Sequence, residues 1–150
     1  MAKTLRIRTA TGWTTKPAAD IPANRLTAGE VDDNFLALEA DLAAMKTAFS
    51  LGTTLTGAVT MTATNGAVQY GTVTGAVTWT FAGAAAAGTI TAVTMELTNG
   101  GSAAQTWPAS VKWDGGVAPT LTAAGLDILE FYTRDGGTTW RGFLAAKDSK

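Results

Sequence analysis

Cysteine and histidine are both missing from this chain. Their absence excludes disulfide staples, thiol chemistry, serine–histidine and cysteine–histidine catalysis, and the usual zinc ligand sets. Charge is scarce as well, at 15% of residues against 46% hydrophobic, and from Thr47 to Val111 the only charged residue is Glu96. Apolar runs are broken by threonine and glycine before the ~18 residues that a membrane span needs, and the opening MAKTLRIRT lacks a signal peptide's apolar stretch. Neither membrane insertion nor self-directed export is therefore expected. A chain of 150 residues holds either one ordinary domain or a small domain with appendages, and the contrast between its two ends favours the second.

What charge there is lies in blocks. Residues 1–26 carry Lys3, Arg6, Arg8, Lys16 and Arg25 against Asp20 alone. Leu5 and Ile7 alternate with Arg6 and Arg8, enough for one short strand, while Gly12, Pro17 and Pro22 leave no room for a helix or a long strand. The segment reads as an extended arm. Basic arms bind nucleic acid by neutralising phosphates, but dispersed cations with a single aromatic, Trp13, make no binding module, and nucleic acid is not an expected partner. An arm of this composition frays unless it lies against something, so docking through Leu5, Ile7 and Trp13 on another protein or on neighbouring copies is expected.

Residues 27–50 read as a helix. Thr27 and Glu30 have capping-box spacing, and Leu26 and Val31 sit where a hydrophobic staple needs them. Glu30, Asp32, Asp33, Glu39 and Asp41 follow without a base among them, where the helix dipole favours anions. Val31, Phe35, Leu38, Leu42, Met45 and Phe49 step alternately by four and three, a coiled-coil seam with Phe35, Leu42 and Phe49 at position a. So narrow a seam suits self-association, with packing on the chain's own domain as the competing reading. Phenylalanine at position a is bulky for a dimer, so a homotrimer is expected.

From residue 51 onward the period becomes two. Val59, Met61 and Ala63 alternate with threonines up to Asn65–Gly66, a hairpin signal, and Val73, Val77, Trp79 and Phe81 share one face of the next strand. Residues 82–88 read as a connection. Ile90, Val93, Met95 and Leu97 lead to the turn Asn99–Gly100–Gly101. Strands are expected at 111–113, 126–133 and 138–144, the last two joined through Arg134–Asp135–Gly136–Gly137, with Trp140 and Phe143 available for the core. The expected fold is mainly β: an arm over 1–26, a short coiled-coil-like helix over 27–50 and an antiparallel β-sandwich-like domain over 51–150. Natural sheets blunt exposed edges with charge, so so bare a threonine surface is expected to be covered by neighbouring chains.

Candidate chemistry is thin. Asp32–Asp33 is explained by the helix dipole, and Asp127 and Glu130, flanking an apolar strand, are expected to be solvated or salt-bridged rather than an acid–base pair. Asp114–Gly–Gly and Asp135–Gly–Gly lack the alternating oxygen ligands and closing glutamate of a calcium loop and read as turns. Gly71 to Gly75 precede no helix and so offer no phosphate cradle. No catalytic residue, metal site or cofactor is expected. Exposed tryptophan is a platform for sugar rings, which makes Trp107, Trp113 and Trp140 candidate receptor contacts; core packing is the competing reading, because a domain poor in large side chains needs their volume.

Across Thr106 to Asp148 the series TWP, VKW, GG, PTLT, G-x-D-x-L-x-F, DGGTTW, GFLA and KD resembles the C-terminal domain of many bacteriophage tail-fibre, tail-spike and minor tail proteins. Separately, NRLTAGEVDDNFLAL, residues 24–38, resembles a stretch near the N-termini of phage tail-fibre and related virion proteins. The two resemblances imply a non-enzymatic, homotrimeric virion component, assembled in the bacterial host cytoplasm, whose N-terminal part docks on other virion proteins and whose C-terminal part faces outward, toward a host surface glycan or protein. This chain departs from the fibre pattern in having no long shaft, which favours a short tail fibre, a baseplate or neck component, or a head-decoration fibre on the capsid. A monomeric carbohydrate-binding module, with the helix packed on the sheet, is the reading from another class.

Overall fold

The computed structural model describes residues 5–9, 12–16, 35–39, 42 and 47–150, the first two segments as backbone only. The expected capping box at Thr27 and Glu30, the staple, Asp32–Asp33, and Val31 and Met45 of the seam lie outside the described residues. The chain divides into two compact units, Met1–Ala43 and Ala44–Lys150, a boundary inside the segment expected to form one helix.

In the first unit, strand β1 (Leu5–Thr9) and strand β2 (Gly12–Lys16) form an antiparallel hairpin with Leu5 opposite Lys16 and Arg8 opposite Trp13. The described residues of the arm thus carry two strands where one was expected; the second runs from Gly12 to Lys16, short enough for the breakers to permit. Residues 35–39 and 42 are helical, and their large apolar side chains are exposed in the single chain: Phe35 by 62%, Leu38 by 63% and Leu42 by 49% on the seam, and Leu36 by 63% off it.

The second unit is one seven-stranded sheet: β3 (Phe49–Thr62), β4 (Val68–Ala82), β5 (Thr91–Thr98), β6 (Gln105–Thr106), β7 (Val111–Trp113), β8 (Leu126–Thr133) and β9 (Trp140–Ser149). Phe49 opens β3 and pairs with Gln69, so it is a strand residue and not the last member of a helical seam. Its spacing from Met45 fits a heptad, but its alternation with Leu51 fits a strand equally well.

The hairpin expected at Asn65–Gly66 does not form. β3 and β4 are parallel, Phe49 beside Gln69 and Thr62 beside Ala82. A straight 14-residue strand would carry its end ~43 Å from its start. The seven steps from Thr62 back to Gln69 span at most ~25 Å. β3 must therefore bend round, so that the chain climbs one coil of a β-solenoid, each residue at its two ends lying beside the one 20 positions on. The bends coincide with register shifts between Ser50 and Gly57, where Gly52 and Gly57 have φ of 130° and 70°. A two-residue type I′ hairpin needs positive φ at both central residues, whereas Ala63–Asn65 form a 3-10 turn and Asn65 has no positive φ. The buried Gln69 amide donates to the carbonyls of Thr62 (2.8 Å) and Gly66 (3.2 Å), holding this corner.

The next coil is wider. β4 pairs in parallel first with β5, Val68 beside Thr94, and higher up with β6, Val77 beside Gln105. Inward side chains stack from coil to coil, Leu55 on Val73 and Met61 on Phe81, while Thr60 beside Thr80 and Thr78 beside Thr106 lie outside. β8 then returns antiparallel to β5, β9 antiparallel to β8, and β7 lies parallel to β9. The fold is mainly β, as expected, but it is a mixed sheet and not an antiparallel sandwich.

The far half of β4 folds over the β8–β9 pair, because rings on these non-adjacent strands touch. Phe81 meets Phe131 edge-on at 4.8 Å and Trp140 at 5.4 Å. Trp107 stacks on Trp79 at 5.4 Å and 7° and contacts Trp113 at 5.1 Å. The Trp79 indole N–H donates to Gln105 Oε1 at 2.9 Å, which satisfies that ring's own polar group.

Candidate binding face

The sequence-predicted receptor residues do not form an open platform. Trp140 is 1% exposed and packed edge-on against Phe81, so it cannot stack on a sugar from outside. Trp107 and Trp113 are half-buried and packed against the same cluster. Of the docking residues, Leu5, Ile7 and Trp13 fall on the β1–β2 hairpin, and their side chains lie outside the description.

The motif pieces of the C-terminal third meet one another. Trp107, Trp113, Phe131 and Trp140 come from TWP, VKW, G-x-D-x-L-x-F and DGGTTW and share the ring cluster. Asp127, expected to be solvated or salt-bridged, is fully buried. Its carboxylate accepts from the Thr122 amide and, at 2.8 Å, the Thr122 hydroxyl, both in the PTLT segment, and from the Asp148 amide of the KD segment at 3.0 Å. Glu130 is exposed on the other face of β8, so the two carboxylates are held apart by strand parity. Asp135 fastens its own hairpin: Oδ1 accepts from the Thr133 hydroxyl at 2.8 Å and the Thr139 amide at 2.9 Å. The Thr139 amide, followed by the Thr133 hydroxyl, holds the Asp135 carboxyl below the ordinary value of 3.8. Among the described residues no three histidine, cysteine, aspartate or glutamate side chains gather to hold a metal, and no helix is long and apolar enough to cross a membrane.

The surface that stands out is the outer face of β5, β8 and β9. Tyr132 sits beside Ala92 and Arg141, and Phe143 beside Glu130. The rings of Tyr132 and Phe143 are 6.0 Å apart, and both are exposed. Ile90, 71% exposed, lies beside them. An apolar groove of about 390 Å³ runs over Ile90, Ala92, Tyr132 and Phe143. It adjoins an open cavity of about 550 Å³ lined by Ile90, Tyr132, Arg134, Asp135, Thr139 and Arg141. The cavity is walled by two loops that are tied together, the Gly88 amide donating to the Arg134 carbonyl at 2.9 Å.

Phe143 was expected in the core with Trp140. Residues three apart on a strand point to opposite faces, and with Trp140 buried Phe143 must be outside; the same parity puts Tyr132 opposite Phe131, while Ile90 is exposed in the loop just before β5. Parity was the signal that could have found this face. Comparison with family models, with curated proteins and with solved structures returns no match.

Proposed function

We propose that this chain is a non-enzymatic structural component of a bacteriophage virion: a short homotrimeric fibre, or a tail, baseplate or neck appendage, mounted by its N-terminal arm and contributing to host attachment. The observation that carries the reading is the helical seam. Phe35, Leu38 and Leu42 are exposed in the single chain, and an apolar stripe at heptad spacing is stable in water when other copies bury it.

Two further features support association. β3 has a strand partner on one side only among the described residues, and this 14-residue edge bears no charged side chain, the condition that isolated proteins avoid. A solenoid also needs its terminal coils covered, and copies meeting at the open coil would do that. The two resemblances, at residues 24–38 and 106–148, support a virion fibre as the kind of assembly proposed, and the short connection between mount and tip keeps a head-decoration fibre as the variant location.

The test is sedimentation of the full chain, expected at three times the 15.3 kDa protomer mass, together with immunogold labelling of phage particles with an antibody to this chain. A monomer at micromolar concentration, or particles that do not label, would overturn it.

A further inference from the structure

We propose that the cavity beneath Tyr132 is a binding site for a carboxylated sugar residue of an acidic polysaccharide. The inference deepens the host-attachment part of the reading above and rests on it only for the source of the sugar.

The charge balance selects the ligand. Arg134, Asp135 and Arg141 line the cavity. Asp135 is engaged by the Thr133 hydroxyl and the Thr139 amide, whereas neither arginine has a salt-bridge partner among the described residues, where the one ion pair is Lys150 with Asp148. Two guanidiniums against one occupied carboxylate leave the cavity net positive, and a guanidinium fork matches a carboxylate in a bidentate, planar way.

The neighbouring groups select a ring carrying that carboxylate. Tyr132 in the cavity and Phe143 in the adjoining groove offer two exposed aromatic surfaces, suited to the apolar face of a pyranose, and the tyrosine hydroxyl can exchange hydrogen bonds with sugar hydroxyls. The site is built on paired strands, Tyr132 in register with Arg141, so ring and cation are held side by side by the sheet. Glu130 lies at the groove side, opposite Phe143, where it disfavours a second anionic group and so fixes the direction in which the carboxylate enters.

The experiment is calorimetric titration of the full chain with oligogalacturonate, heparosan oligosaccharide and sialyllactose, each beside its carboxyl-reduced counterpart, and with Arg134→Gln, Arg141→Gln and Tyr132→Ala. All three side chains are exposed, and unchanged urea midpoints show that the variants fold. The expected result is that at least one acidic sugar binds, that carboxyl reduction or either arginine substitution weakens it by roughly tenfold or more, that Tyr132→Ala weakens it too, and that added salt does the same. No binding by any acidic sugar, equal binding of the reduced forms, or variants that bind as well as the wild type would each overturn the site. A monomeric protein that still shows the expected titrations would overturn the fibre and leave the site standing.

Discussion

At the scale of single residues, the buried Asp127 is the clearest case of a polar group placed for structure. It receives three hydrogen bonds, from two groups of Thr122 and from the Asp148 amide, and so ties the 119–122 segment and the end of β9 to the start of β8. Asp127→Ala leaves those donors facing an apolar hole, and the expected cost is about 3 kcal/mol or more, read as a lower urea midpoint. Asp135 makes a pH-dependent contribution of the ordinary acidic sign. Its folded value is depressed below 3.8, so the stabilisation is fully present above that value and is lost as pH falls through the lower, folded one. Hydrogen-exchange protection of the Thr139 amide is expected to fall over that acidic window and to be pH-independent there in Asp135→Asn. Phe143, made available to the core by its hydrophobicity, was put on the outer face by strand parity.

At the scale of elements, the coil is the feature to test, and the absence of cysteine makes the test clean. Thr60 and Thr80 are in register and both exposed, with neighbouring strands ~4.8 Å apart, inside the Cα separation a disulfide tolerates. Thr60→Cys/Thr80→Cys is expected to cross-link on mild oxidation, seen by intact mass and by mobility on a non-reducing gel. A hairpin about Asn65–Gly66 would hold the two ~30 Å apart and give no intramolecular bond. The stacking also makes Gly71 intolerant: a Cβ there would lie 2.6 Å from Leu55 Cδ1 and 3.0 Å from the Gly52 carbonyl oxygen. Gly71→Ala is expected to destabilise by about 1–3 kcal/mol through overpacking, read as a lower urea midpoint, whereas at Gly57 nothing lies near a Cβ and it is the φ of 70° that resists a side chain.

At the scale of the whole molecule, the distribution of charge divides the second unit into two surfaces. The β3–β4 coils are faced with threonine and carry no charge, whereas the face of β5, β8 and β9 bears Glu96, Glu130, Arg134 and Arg141. The proposed trimer uses the first surface and leaves the second to solvent and ligand. Leu38→Asp is expected to shift the sedimenting species toward monomer, because each buried leucine is worth about 1.5–3 kcal/mol and the substitution enters every copy at once. The far-ultraviolet β signal should persist. Retention of a full trimer in Leu38→Asp/Leu42→Asp would show that the helix takes no part in association.

The sequence by itself determined several of the strand segments beyond residue 51 and which residues are large enough to fill a core. The strands at Val111–Trp113 and Leu126–Thr133, the turns at Asn99 and Asp135, and the burial of Val73, Val77 and Trp79 were all legible, because they follow from alternation and from turn chemistry within a few residues. Only the tertiary structure decided that β3 and β4 run parallel, that six rings from five segments meet, and that Tyr132, Arg134 and Arg141 line one cavity. Each of these is a relation between residues distant in the chain, and a period of two is the same for a hairpin as for a coil. What separates them is the backbone path at the corners, set by glycine φ and by the Gln69 bonds, and local pattern carries no record of that path.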